Sequence, residues 1–272
     1  MSTRRIALVA RHVFKESVRD RVLYAIAGFA LLLVAASFLI GQLTAGEDVK
    51  IIKDLGLATI ELAGVLMTVF IGVGLVSREI DRRSIFALLA KPLARWEFIA
   101  GKYLGLVMTI FVNVAGMTAA LFLMLAWMDW GELEQVRRAL NAPIVDPALL
   151  WAALLIFAEL ALLTAVALFF STFSSSGLVS VVLTLGAYIA GHLSRDLRGF
   201  GNIVDVSAAL AAVVGAIGYI VPAFSEFNLK NEVVHGIPIA AGQITWPLLY
   251  AVVYAGTAIG ASMLVFSRRE FK

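Results

Sequence analysis

Six apolar runs, each close to the roughly 20 residues a helix needs to cross the hydrocarbon core of a bilayer, constrain this chain more than any motif does. They lie near 22–43, 55–77, 103–127, 148–172, 177–194 and 246–267. The chain as a whole is 61% hydrophobic, against roughly 45–50% in soluble domains, so the surplus needs lipid as its solvent. Lipid offers no hydrogen bonds to a backbone, and helices satisfy theirs segment by segment. The expected fold is therefore all-α: one polytopic membrane domain over residues 1–272 with six transmembrane helices.

A seventh apolar segment, 204–222, is rich in Ala and Gly, opens with Asp205 and ends at Pro222. Hydropathy does not decide whether it spans or dips and returns. The Lys/Arg bias of short loops does decide orientation. With six spans and the N-terminus inside, fifteen of the twenty-two basic residues fall on the cytoplasmic side. They are clustered at Arg4 to Arg21, at Arg78 to Lys102, and at Arg268, Arg269 and Lys272. A seventh true span would move the last three outside. We therefore expect both termini in the cytoplasm of a bacterial cytoplasmic (inner) membrane, and a re-entrant or interfacial helical segment on the outer face within 195–245.

This distribution also disposes of nucleic acid as a partner, since the formal charge is only +3 and the basic residues sit where membrane topology requires them. The absence of cysteine excludes disulfides, thiolate-bound zinc and a thiol nucleophile. Residues 1–21 place Ile6, Val9, Val13, Phe14 and Val18 at helical spacing with arginines and Lys15 around the rest of the wheel, which suits an interfacial helix forming an elbow before the first span. The same basic residues also serve as a plain topology signal.

Between the second and third spans, residues 78–98 form a charged cytoplasmic segment. Ile80, Ser84 and Leu88, flanked by Ile85 and Leu89, predict a short amphipathic helix that Pro92 ends and Arg95 to Glu97 restart. A rigid helix transmits a push from a soluble partner, whereas a floppy loop absorbs it. The set Glu79, Asp81, Ser84, Leu88, Leu89, Pro92, Arg95, Glu97, Gly101 and Lys102 resembles the corresponding segment of ABC-2 type transporter permeases, with Arg83-Ser84 where that family often has Gly-Thr. The likeness extends to the basic N-terminal helix and to the closing Phe266-Ser267-Arg268-Arg269-Glu270-Phe271. The stretch Pro222-Ala223-Phe224-Ser225-Glu226-Phe227-Asn228-Leu229 is most similar to the branch linked to multicopper-enzyme maturation, of the kind that serves nitrous-oxide reductase.

The resemblance implies a homodimeric permease bound to two copies of a separate ABC ATPase subunit. ATP and Mg would sit on that partner, and no cofactor or metal on this chain. The coupling helix would reach the ATPase through Arg78, Glu79, Asp81, Arg82, Arg83, Ile85 and Phe86. Consistent with a separate energy source, Gly101-Lys102 is followed by Tyr103 and lacks the glycine that a phosphate-binding G-x-x-x-x-G-K-[ST] loop requires. The protein is thus expected to be a transport subunit and not an enzyme.

Glu159 and Glu61 are the acids inside the spans and, such residues being costly in lipid, the candidates for a pathway or gating role. Glu159 is deep in the fourth span; Glu61 is near enough to the second span's outer end to reach the interface. His192, beside Ser194, Arg195 and Asp196, reads as an interfacial anchor, and histidines at 12, 192 and 235 make no ligand set. Gly256-x-x-x-Gly260 reads as packing within the bundle. Trp127, Trp130 and Trp151 form an outer aromatic belt. An intramembrane enzyme would need a convergent set of polar residues within the spans, for which Glu61, Glu159 and His192 are too few and too scattered in depth. An ATP-independent channel or secondary transporter, the alternative, would show inverted repeats or helices broken at mid-membrane.

Overall fold

The structure, a computed structural model, describes residues 2–41, 48–74, 94–131, 143–174, 176–198 and 207–268. Among these there are helices and no strands. In chain order they are α1 (Ser2–Val18), α2 (Arg21–Gly41), α3 (Asp48–Met67) with a π-helical continuation (Thr68–Gly72), α4 (Arg95–Gly131), α5 (Leu149–Phe173), α6 (Gly177–His192), α7 (Ser194–Arg198), α8 (Ala208–Ile220), a 3₁₀ turn (Phe224–Phe227), α9 (Lys230–His235) and α10 (Ala241–Arg268). The predicted coupling helix, with Arg78, Glu79, Asp81, Arg82, Arg83, Ile85 and Phe86, lies outside the described residues.

Four stretches are long and apolar enough to cross a membrane: Val49–Gly72, Trp96–Trp130, Leu149–Phe173 and Ala241–Ser267. Two bent pairs, α1 with α2 and α8 with the 3₁₀ turn and α9, raise the number to six if each counts as one span. The protein is a polytopic helical membrane protein. Its outer surface agrees, because Phe29, Leu32, Phe111, Leu123, Val182, Ile189, Val252 and Leu264 are all exposed and would meet water only at great cost.

The helices differ in detail from the six spans read in the sequence. The second begins near Val49 rather than 55, which sets Glu61 deeper. The third extends to 35 residues, so Arg95 to Glu97 are the first turn of α4 rather than a second piece of the coupling segment. The expected fifth span, α6, has only 16 residues, about 24 Å of helix against a core of about 30 Å, and falls outside the count of six, which takes the bent α8–α9 pair in its place. It stops because the chain turns at Leu193, where His192 is tied into the bundle.

α5 is the axis of the molecule. It is apolar on every side, and α3, α4, α6 and α10 all pack on it. α10 is the span least enclosed by the rest of the chain. Its Gly256 and Gly260, expected to pack inside the bundle, have no atom within 4 Å of where a Cβ would stand, and Gly256 lines a cavity together with Leu154, Phe157 and Ala158 of α5.

α1 and α2 meet at 62°, the elbow anticipated at residues 1–21. α1 lies in a groove on α4 made by Gly101 and Gly105: a Cβ at Gly101 would stand 2.6 Å from Val9 Cβ, and one at Gly105 would stand 2.7 Å from the Ala10 carbonyl and Val13 Cβ. Glu97 is buried at the start of α4. Its Oε2 accepts from the Ala94 backbone N–H at 3.1 Å, half of a capping box, and lies 3.7 Å from Arg5 Nη1 of α1. At the other end of the bundle, Lys53 is buried and donates to the Pro143 carbonyl at 2.7 Å, while Asp146 Oδ1 accepts from Ala148 N–H and starts α5.

Candidate functional site

Glu159 follows Leu149, the first residue of α5, by ten positions, which places it about 15 Å along the helix. Its side chain is 3% exposed. An ionised carboxylate there is costly unless paired, and the neighbouring helices supply the pairing. Glu61 comes from α3, thirteen residues beyond Asp48 and so about 20 Å along. His192 is the last residue of α6, and Lys230 the first of α9.

These four side chains meet. His192 Nε2 is hydrogen-bonded to Glu159 Oε1 at 3.0 Å and lies 3.9 Å from Glu61 Oε1. Tyr188, one turn earlier on α6, donates its hydroxyl to the same Glu61 oxygen at 3.0 Å. Lys230 Nζ forms an ion pair with Glu61 Oε2. The reading of Glu61, Glu159 and His192 as scattered in depth is therefore corrected, as is that of His192 as an interfacial anchor. The early end of α6 brings His192 down to the level of Glu159 rather than to the membrane surface.

The wall beside this cluster is aromatic. The His192 ring stands edge-on to Tyr188 at 4.6 Å between centroids and is 6.0 Å from Phe224, which is fully buried and also 5.4 Å from Tyr188. Gly191 permits this approach: a Cβ there would collide with the Pro222 carbonyl and the Phe224 ring. The segment after α8 is fixed at the same depth. Ala223 N–H donates to Tyr250 Oη at 3.0 Å, and Tyr254 Oη donates to the Ile220 carbonyl. Tyr250 and Tyr254 are nine and thirteen residues into α10, so the break between α8 and the 3₁₀ turn sits at the middle of that span. The two halves of the pair are inclined at 44°.

Chemically, the cluster offers two carboxylates and one imidazole whose ligand atoms lie within 4.8 Å of one another, a set that could hold a metal ion. It also offers an ammonium group already drawn to one of the carboxylates. Sequence reasoning named Glu61 and Glu159 and missed Tyr188 and Lys230. The one local sign was the length of the 177–192 run, a few residues short of a full crossing.

Other sequence candidates lie elsewhere. Trp127 and Trp130 at the end of α4 and Trp151 at the start of α5 are exposed and close together along their spans, as an interfacial belt requires. His12 is on α1, 3.8 Å from Glu16, and His235 bonds to the Asn231 carbonyl within α9.

Comparison with known proteins adds a family to this geometry. No curated protein matches the chain at a significant level. The sequence profile described as ABC-2 family transporter protein matches residues 7–270, from within α1 to just past the end of α10, and so takes in the whole bundle and its buried acid cluster. The chain belongs to the ABC-2 transporter family and is a membrane permease component of that class.

Proposed function

We propose that the protein is the membrane-spanning permease subunit of an ATP-driven ABC-2 exporter, in which a separate ABC ATPase hydrolyses ATP and this chain moves the cargo. The observation that carries the reading is the match over residues 7–270 in a chain without a phosphate-binding loop. In this reading two copies of the permease face each other, both termini lie in the cytoplasm, and ATP with Mg sits on the partner. The likeness of the Pro222 to Leu229 stretch supports, within this reading, the branch linked to multicopper-enzyme maturation, of the kind that serves nitrous-oxide reductase.

The path for force begins at residues 78–90, held against the ATPase by Arg78, Glu79, Asp81, Arg82, Arg83, Ile85 and Phe86. It continues at Arg95, where α4 begins. Glu97 caps that start and faces Arg5, and the Gly101/Gly105 groove seats α1, so a displacement of the preceding segment moves the elbow and α4 together. Burial of Glu97 makes the joint stiff.

One observation favours the alternative, an ATP-independent carrier or channel: a helix pair broken at mid-membrane next to buried acids is a device of secondary transporters. Purification of the tagged chain in mild detergent separates the two. An ATPase subunit that comes with the wild type and is lost with Glu79→Ala and Arg82→Ala supports the permease reading. Transport that persists in vesicles holding this chain alone overturns it.

A further inference from the structure

The buried cluster gathers two carboxylates, one imidazole and one ammonium from four helices into the interior of the bundle, where polar groups are costly unless they serve one another or a ligand. Lys230 is paired with Glu61 Oε2, while Glu159 Oε1 is met by His192 Nε2 at 3.0 Å.

The donors suit a metal ion. They come from three different helices, α3, α5 and α6, so the site is assembled by the fold and not by a local cluster of acids. Two carboxylates and one imidazole within 4.8 Å of one another are close enough for side-chain rotation to bring them onto bonds of about 2.0–2.2 Å. Nitrogen with oxygen favours zinc, manganese or ferrous iron over soft cuprous ion, and the three donors are too few for calcium. The Lys230 ammonium already pairs with Glu61 in the same cluster, so an entering ion would compete with it.

We propose that Glu61, Glu159 and His192 form a binding site for a divalent transition-metal ion, and that Lys230 is the internal counter-ion which such an ion displaces. The exchange balances. One divalent ion enters, the Lys230 ammonium leaves Glu61, and the proton that His192 Nε2 shares with Glu159 departs or moves to Nδ1, leaving the nitrogen lone pair for the metal. Tyr188 keeps its bond to the bound carboxylate and orients it.

Release of Lys230 has a mechanical consequence. Lys230 opens α9, its backbone N–H is held by Asn228 Oδ1 at 3.1 Å, and Phe224 of the same broken pair packs on His192. An ion in the site therefore undoes the ionic tie between α3 and the segment 224–235 while stiffening the junction of α3, α5 and α6. This inference goes beyond the permease reading and stands without it, since binding is measured on the isolated chain.

The test is calorimetric titration of ZnCl₂, and visible absorption with CoCl₂, on the full chain in lipid nanodiscs after chelator treatment. One ion per chain is expected, with Co²⁺ ligand-field bands that change when His192 is replaced. Glu159→Gln and His192→Gln weaken binding by at least tenfold. Lys230→Met tightens it by about tenfold, the scale of one close charge contact removed as a competitor. That sign separates the proposal from a purely structural ion network, in which Lys230→Met binds no metal. Absence of stoichiometric binding in both wild type and Lys230→Met overturns the site, and so does binding that Glu159→Gln leaves unchanged.

Discussion

Replacing Lys230 by Met in the metal-free protein isolates the energetics of the membrane cluster. The Lys230 and Glu61 side chains are 18% and 14% exposed, so the pair is largely but not wholly removed from solvent. Deleting one partner of a buried ion pair costs about 3–5 kcal/mol, mostly because the other charge is left uncompensated. Glu61 retains the Tyr188 hydroxyl at 3.0 Å and His192 Nε2 at 3.9 Å, which puts the expected loss at the lower end, about 3 kcal/mol. That is on the order of a hundredfold in the unfolding equilibrium. Adding Glu61→Gln removes the stranded charge and should return stability to within about 1 kcal/mol of wild type, so the double-mutant cycle shows a coupling of about 2 kcal/mol or more. The assay is reversible unfolding in mixed micelles with a chelator present, alongside hydrogen exchange at α9, whose amides should lose protection first. A Lys230→Met protein within about 0.5 kcal/mol of wild type, the range of an ordinary surface change, would refute the reasoning.

Three further outcomes follow from the packing. Glu97→Ala removes the cap of α4 and the group facing Arg5, and should cost about 1 kcal/mol and raise proteolysis of α1, read by limited digestion in nanodiscs. Gly105→Leu must displace Val13 and the Ala10 carbonyl, so α1 should detach from α4; an unchanged spin-label distance between Arg11→Cys and Thr109→Cys would contradict this. Gly256→Ala sets a Cβ with no atom within 4 Å of it and should leave the melting temperature of the isolated chain unchanged; a clear loss would contradict the open space beside α10.

Much of the architecture was legible because lipid imposes a length rule: apolar runs near 20 residues become helices wherever they occur. The positions of α3, α4, α5 and α10 followed from that rule, and the elbow at α1 from its amphipathic spacing. What the rule misjudged were ends. The first turn of α4, where buried Glu97 faces Arg5, and the stop of α6 at His192, which bonds to Glu159, involve partners distant in sequence.

The same division holds for the site. Intramembrane cost alone singles out Glu61 and Glu159, because an acid in lipid calls for an explanation wherever its neighbours are. Neither Lys230 nor Tyr188 carries such a mark, since a lysine between a leucine and an asparagine and a tyrosine in an apolar helix are ordinary in sequence. Composition and periodicity report how each residue partitions between lipid and water, a property the residue has by itself. The meeting of α3, α5, α6 and α9 around one pair of carboxylates depends on where helices stop and how closely Gly191 lets them approach, and only the packed structure decides that.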